Sequence, residues 1–441
     1  MKRAAYQHLL DWKRSDTRKP LLLQGARQVG KTWLMRTFGA QEYPELIYFN
    51  FEETPRLRAL FEDSLNPQAL LEKLGFFIGR KITSKALLCF DEIQIAPRAL
   101  TALKYFTEQA PDYHVIAAGS LLGVQVGKPS SFPVGKVDFL TLYPMSFQEY
   151  LWASGHELLA DHLLTQLPIH PIEAAFHQQL SDLLKRYLYL GGMPAVVKSY
   201  LAETDIGRAR TLQQQILTAY ENDFSKYADP TQAIRTSAFW RSVPYQLARE
   251  NKKFKYSTIK EKARASTYEL TIDWLLNAGL IQQVKQISTA KLPLGGYADG
   301  SKFKVYAHDV GLLGAMLQLS ARMVTAPHAL YREYHGAVIE NYVANELTKA
   351  GLYPQYYWTS GRLAEVDFVL SYQEEIYPIE VKSGTNLNLK SLNRYSEKFQ
   401  PRYRFRCSPR NFMKSDSFLN IPLYAIYLLP ALLEKLNGRM S

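Results

Sequence analysis

Eight consecutive residues, Gly25-Ala26-Arg27-Gln28-Val29-Gly30-Lys31-Thr32, carry the most specific chemistry in the chain. Glycines at both ends of the loop let backbone N–H groups close on an anion without a Cβ in the way. Lys31 brings positive charge to the β- and γ-phosphates of a nucleotide, and the Thr32 hydroxyl is a ligand for Mg²⁺. The run follows the apolar triplet Leu21-Leu22-Leu23 and opens a segment of helical periodicity, so a helix N-terminus adds its dipole to the site. The cofactors implied are ATP and Mg²⁺. A second apolar run, Leu87-Leu88-Cys89-Phe90, ends in Asp91 and Glu92. Downstream of a phosphate loop, these two types divide the work: Asp91 for the magnesium shell, Glu92 to polarise an attacking water. Val115 to Ala118 then leads into Gly119-Ser120, where the Ser120 hydroxyl is placed to sense the γ-phosphate.

Two further constellations lie C-terminal to these. Between Arg249 and Arg264 stand Arg249, Lys252, Lys253, Lys255, Lys260, Lys262 and Arg264 against Glu250 and Glu261, a density of charge able to track a phosphate backbone or to form a solvated or protein-docking face. Glu340 falls in a helical segment, Asp367 in the strand Glu365 to Leu370, and Glu380 and Lys382 in the strand Ile379 to Lys382. Alternation along a strand sends Glu380 and Lys382 to one face, so carboxylates for a divalent cation and a lysine for a water or a developing charge would meet there. Arg402-Tyr403-Arg404-Phe405-Arg406 alternates charge with aromatic rings, which puts three arginines on one strand face.

The elements that must hold these residues read as α/β. Strands are expected at Leu21 to Leu23, Leu46 to Phe51, Ala86 to Phe90 and Val115 to Ala118, with helices at Thr32 to Phe38, Pro67 to Gly79 and Pro97 to Gln109. That alternation predicts a parallel sheet with its binding edge at the strand ends. From Ser146 to Tyr227 helical periodicity takes over, interrupted at Pro168, Pro171 and Gly191-Gly192. Amphipathic segments at Ser237 to Arg249, Tyr256 to Ala263 and Thr267 to Ala278, followed by a strand at Leu280 to Ile287, resemble a winged helix-turn-helix. A helix at His335 to Ala350, strands at Glu365 to Leu370, Glu375 to Val381 and Tyr403 to Arg406, and a helix at Leu389 to Phe399 make a last α/β part. Four parts are therefore expected: a nucleotide-binding domain at 1–145, a helical lid at 146–230, a winged-helix-like domain at 231–325 and a small α/β domain at 326–441.

A chain of 441 residues exceeds what one core supports. The 47% apolar content argues against disorder, and the longest apolar stretch near a terminus, Leu423 to Leu433, is too short to cross a bilayer. The first residues carry no signal-type apolar core, so a cytoplasmic protein without membrane attachment is expected. Two cysteines, Cys89 and Cys407, exclude a disulfide framework and a cysteine-based zinc site. Lys plus Arg exceed Asp plus Glu by 53 to 41, for a net charge of +12, which favours polyanions. Nucleic acid, DNA ahead of RNA, is the partner expected; a homo-oligomer or a partner protein is also compatible.

Together the segments resemble a bacterial and archaeal family of AAA-type ATPases with a C-terminal domain of unknown function, the pairing called AAA_14 and DUF4143. The matching stretches are Gly25 to Thr32, Phe90 to Gln94, Gly119-Ser120, Tyr143 to Tyr150, Gly191 to Pro194 and Phe303 to Leu313, spread over essentially the whole chain. Likeness to STAND-type switch ATPases implies that Gly192, Met193 and Pro194 contact the adenine. Where that pattern has Gly-Arg, this chain has Gly135-Lys136, and a lysine lacks the planar fork of an arginine finger. The carboxylates with Lys382 resemble the layout of PD-(D/E)xK nucleases, with Val366 in place of the usual proline. The resemblance implies an ATP-driven switch or motor acting on nucleic acid. It also admits an ATP-regulated docking scaffold with an inert nuclease-like domain, or an ATP-gated, metal-dependent nuclease.

Overall fold

The structure, a computed structural model, describes residues 1–119, 133, 135–167, 169–227, 229–249, 252–322, 332–361, 363–384 and 388–438. These fall into two compact units: residues 2–143 with 277–279, and residues 144–276 with 280–441 and Met1.

In the first unit the elements run α1 (Ala5–Arg14), β1 (Leu21–Gln24), α2 (Lys31–Glu42), β2 (Glu45–Asn50), α3 (Pro67–Ile78), β3 (Ala86–Asp91), α4 (Pro97–Gln109), β4 (His114–Ala118) and β5 (Asp138–Thr141). The strands pair in the order β2-β3-β4-β1-β5, all parallel. Every residue of β3 is buried, as a central parallel strand covered on both faces requires. Helix boundaries follow local chemistry. At α3, Asn66 accepts from the backbone N–H groups of Gln68 and Ala69, Pro67 sits at the first helical position, and Gly79 ends the helix in a left-handed turn. Leu70, Leu74, Ala99, Leu103 and Phe106 pack these helices onto Leu88 and Phe90. The expected parallel α/β sheet is present, extended by β5, which was too short and too polar to read in advance.

The second unit begins with the helices α5 (Phe147–Ala153), α6 (Glu157–Thr165), α7 (Ala174–Leu190), α8 (Pro194–Glu203) and α9 (Ile206–Tyr227). Ser146 and Glu149 close a capping box at the start of α5. Then follow α10 (Pro230–Leu247), α11 (Ala265–Asn277), β6 (Ile281–Ile287), β7 (Ala298–Ala307), α12 (Val310–Met316) and α13 (Arg332–Lys349). The remainder is β8 (Tyr356–Thr359), β9 (Glu365–Tyr372), β10 (Glu375–Val381), α14 (Lys390–Phe399), β11 (Arg404–Ser408), β12 (Met413–Ser415), β13 (Phe418–Pro422) and α15 (Leu429–Leu436).

Two expectations change here. The helix expected at Tyr256 to Ala263 is a single 3-10 turn at Tyr256–Thr258, and Lys262 then adopts a left-handed φ of 62°, which a helix does not continue through. The boundary expected at residue 325 separates strands that belong to one sheet. β6 pairs in parallel with β8, so β6 and β7 form the edge of a mixed sheet ordered β12-β13-β11-β10-β9-β8-β6-β7. No helix among the described residues is long and apolar enough to cross a membrane.

Candidate functional site

The loop between β1 and α2 has the geometry its glycines anticipate. Gly25 has φ 143°, and a Cβ there would lie 2.1 Å from the Leu142 carbonyl oxygen, so no other residue fits the close approach to the chain after β5. Gln28 and Gly30 are also left-handed, with φ of 66° and 98°, and Gly30 hands the chain to α2. Val29 and Ala26 are buried, which anchors the loop from below. Arg3 braces it: one guanidinium nitrogen donates to the Val29 carbonyl at 2.8 Å and another to the Tyr143 carbonyl at 2.6 Å. Nothing in the sequence pattern marked Arg3, because its partners lie 26 and 140 residues away.

Lys31 is buried and its Nζ donates to the carbonyls of Gly25 and Ala26 at 2.9 and 2.8 Å, so the ammonium lies within the loop itself. Burial pushes its pKa down to about 8, although the carboxylates of Glu92 and Asp91 pull the other way. Thr32 Oγ1 donates to Asp91 Oδ2 at 2.6 Å, which joins the first turn of α2 to the end of β3. The same oxygen accepts from the Tyr48 hydroxyl at 2.7 Å, and Asp91 Oδ1 accepts from the Glu92 backbone N–H. Burial and Asp91 raise the Tyr48 phenol, so it stays a donor. Tyr48 was not foreseen; its register opposite Cys89 on the neighbouring strand delivers it. A hydroxyl and a carboxylate this close, beside a phosphate-shaped loop, are a donor set that suits Mg²⁺.

Glu92 is half-buried at the sheet edge and holds a left-handed φ of 53°, a strained conformation for a residue of this type. Its Oε2 accepts from Gln94 Nε2, and the Gln94 side chain packs against Gly119, the residue that ends β4's extension. Gln94 thus links the water-polarising candidate to the strand expected to carry the γ-phosphate sensor. Ser120 itself lies outside the described residues. Lys136 pairs with Glu108 at 3.0 Å.

Gly192, Met193 and Pro194 belong to the second unit, where their backbone is engaged internally. The Gly192 N–H donates to Asp309 at 2.6 Å, its carbonyl accepts from the Met145 N–H at 2.7 Å, and Met193 precedes α8. A Cβ at Gly192 would meet the Met145 carbonyl at 2.1 Å. Packing accounts for this turn, and its role at an adenine base stands on the resemblance alone.

The basic segment is only partly available to a polyanion. Arg249, Lys255, Lys260, Lys262 and Arg264 are exposed, whereas Lys252 turns inward to the Glu340 carboxylate and Lys253 is half-buried. These charges ride on the connection between α10 and α11 rather than on two helices. Of the arginines in and before β11, Arg406 is buried against Asn420 and Arg404 bonds Asn393, so they do not line one open face.

Glu340, Asp367, Glu380 and Lys382 do come together, but with an additional cation among them. Lys304, on β7, places Nζ 2.9 Å from Glu340 Oε1, 2.6 Å from Glu365 Oε1 and 3.8 Å from Asp367 Oδ1. Tyr306 donates to Glu340 Oε1 at 2.6 Å and Lys252 pairs with Oε2. Asp367 Oδ2 accepts from the Val381 N–H at 2.8 Å, and Lys382 pairs with Glu380 at 2.6 Å. Burial would raise the Glu340 carboxyl, but Lys252 and Lys304 outweigh it and hold the group below the usual range. Burial and the Glu340 charge push Asp367 up to about 7. Among the described residues no group of three or more acidic, histidine or cysteine side chains is arranged to hold a metal ion. The carboxylates expected to meet at a divalent cation are engaged by Lys252, Lys304 and Lys382 and by the Val381 N–H. Lys304 and Glu365 escaped notice because a lone lysine in the apolar run Phe303-Lys304-Val305 gives no sign of a partner 36 residues on.

Comparison with known proteins bears on both units. Residues 17–151 match the family described as an AAA domain, residues 181–323 a domain of unknown function, DUF8612, and residues 335–426 another, DUF4143. None of the curated proteins compared matches the sequence. Among solved structures, a Walker-type ATPase of Pyrococcus abyssi is 15% identical with a TM-score of 0.44, covering 72% of this chain and 95% of its own. The Orc1 protein of Aeropyrum pernix in complex with DNA is 15% identical with a TM-score of 0.26, over 72% of this chain and 92% of that one. AMPPCP-bound DnaA from Aquifex aeolicus is 12% identical with a TM-score of 0.27, over 62% and 86%. These structural likenesses are remote, whereas the family matches fall on the segments that carry the phosphate loop and the carboxylate cluster. The chain thus carries an AAA domain at residues 17–151 followed by a DUF4143 domain at residues 335–426.

Proposed function

We propose that the chain binds ATP with Mg²⁺ in the loop Gly25 to Thr32, hydrolyses it, and uses the cycle as a switch or motor on nucleic acid in a cytoplasmic setting. The observation that carries the first half is the 2.6 Å contact between Thr32 Oγ1 and Asp91 Oδ2, which joins loop and strand at the point where a triphosphate and its cation would sit. Backbone N–H groups of the loop and the α2 N-terminus bind the phosphates, and Lys31 exchanges its two carbonyl partners for phosphate oxygens. Thr32 and Asp91 hold the cation, whose chemistry is to neutralise charge on the β- and γ-phosphates. Glu92, kept in place by Gln94, accepts the proton of the attacking water. The exposed charges Arg249, Lys255, Lys260, Lys262 and Arg264, with the net charge of +12, support nucleic acid as the partner. Two buried, unpaired cysteines suit a reducing compartment.

Nucleotide binding and turnover of two variants test the reading. Lys31→Ala should lose most ATP affinity. Glu92→Gln should keep it while turnover drops by about 10²-fold or more. Unchanged binding in the first variant, or unchanged turnover in the second, would remove that residue from the mechanism.

For the C-terminal part, the pairing of Lys252 and Lys304 with Glu340 favours the docking-scaffold alternative over a gated nuclease.

A further inference from the structure

We infer that Lys304 is itself the cation of the carboxylate cluster, and that the cluster is a structural ion-pair hub that takes no divalent metal. The hub ties the edge strand β7 to α13 and β9, so that the 298–307 strand and the DUF4143 segment behave as one body within the second unit.

Most of the coordination positions are already filled, and the buried Glu380 Oε2 is the one carboxylate oxygen of the cluster that is buried without a partner. Both Glu340 oxygens are spoken for, one by Lys304 and Tyr306, the other by Lys252. One Asp367 oxygen accepts the Val381 N–H and the other faces Lys304 at 3.8 Å. Glu365 gives its oxygen to Lys304 at 2.6 Å, and Glu380 gives one to Lys382. Charges balance to within one: Glu340, Glu365, Asp367 and Glu380 face Lys252, Lys304 and Lys382. A single lysine ammonium, with three donors, faces three of the four acidic side chains that a metal would have to share, and Lys382 pairs with the fourth, Glu380. Burial adds a barrier to exchange. The Lys304 side chain is 1% exposed and that of Glu340 is 3% exposed, so a hydrated Mg²⁺, which gives up water reluctantly, has no open approach to them. Nor can the lysine simply withdraw, because a buried carboxylate left without its partner is strongly unfavourable.

The inference does not depend on ATP hydrolysis, and the test is made without nucleotide. Full-length protein carrying Asp91→Asn, to silence the first unit's site, is titrated with Mn²⁺ and followed by electron paramagnetic resonance and by thermal unfolding. No stoichiometric Mn²⁺ site and no shift of the unfolding midpoint are expected. Lys304→Met in the same background should lower the midpoint by roughly 10 °C, from the cost of an unpaired buried carboxylate. Adding Glu340→Gln to Lys304→Met should recover part of that loss, since it removes the stranded charge. One Mn²⁺ bound per chain that disappears on Asp367→Ala would overturn the inference. So would strictly additive effects of Lys304→Met and Glu340→Gln, which would mean the two groups do not act as a pair. Should Lys304→Met fail to fold, the Mn²⁺ titration of the parent protein and of Asp367→Ala still decides.

Discussion

Lys31 has to be a cation in a place where burial opposes charge, and its ordinary pKa of 10.5 falls to about 8 as a result. Phosphates favour the charged form, so a bound triphosphate would draw the pKa back up. The direction of the linkage follows. Below pH 8 the lysine is already protonated and nucleotide affinity should not vary with pH on its account. Above pH 8 binding must first restore the proton, and affinity should fall by up to about tenfold per pH unit until the pKa of the bound state is reached. Titration of a fluorescent ATP analogue between pH 7 and pH 9.5 reads this directly. An affinity that is flat across that range would mean Lys31 is either not neutralised by burial or not in contact with phosphate. Lys31→Arg, which stays charged throughout, should flatten the profile while binding more weakly, because the fork does not fit a space shaped for an ammonium.

The elements show where a side chain can serve two of them at once. Asp309 caps α12 through Oδ1, which accepts from the Leu312 N–H at 2.9 Å, and pins the turn before α8 through Oδ2 and the Gly192 N–H. Asp309→Ala should cost about 1 kcal/mol for the cap and a further 1–3 kcal/mol for the buried N–H left without an acceptor, or about 2–4 kcal/mol in all. Urea unfolding measures it, and a loss below about 0.5 kcal/mol would show that water takes over both roles. Such cross-element ties explain what was legible in the sequence. The phosphate loop could be read because its eight residues are consecutive, Asp91 and Glu92 because they end one apolar run, and α4 was foreseen with its observed bounds because Pro97 starts it within an amphipathic run. The helix expected at Tyr256 failed because its polar residues have no apolar stripe to bury and Lys262 turns left-handed. Lys252 was read as a phosphate contact from its charged neighbours, whereas its partner Glu340 lies 88 residues away. Tyr48 and Arg3 belong to the same class: each is brought to the loop by sheet register or chain reversal, which local pattern does not encode.

At the scale of the whole molecule, a net charge of +12 attracts polyanions wherever the charges sit, so binding of nucleic acid alone does not identify a surface. The distribution can be separated from the sum. Reversing Arg249, Lys255 and Lys260 to Glu changes the net charge by six, from +12 to +6, and so does reversing the exposed Lys81, Lys85 and Lys414. If the connection between α10 and α11 is the interface, the first triple variant should weaken binding of a labelled DNA duplex at low salt by on the order of tenfold or more. It should also flatten the slope of log affinity against log salt, since each lost phosphate contact removes close to one unit of counterion release. The second triple variant should change affinity far less and leave the slope nearly intact, because a charge that makes no phosphate contact is screened over about 10 Å at 0.1 M salt. Lys252 is left out of the first set on purpose: its reversal would place a second carboxylate against buried Glu340 and lower stability instead. Equal losses in the two triple variants would assign the attraction to overall charge, and would turn the exposed 249–264 segment over to docking of a protein partner.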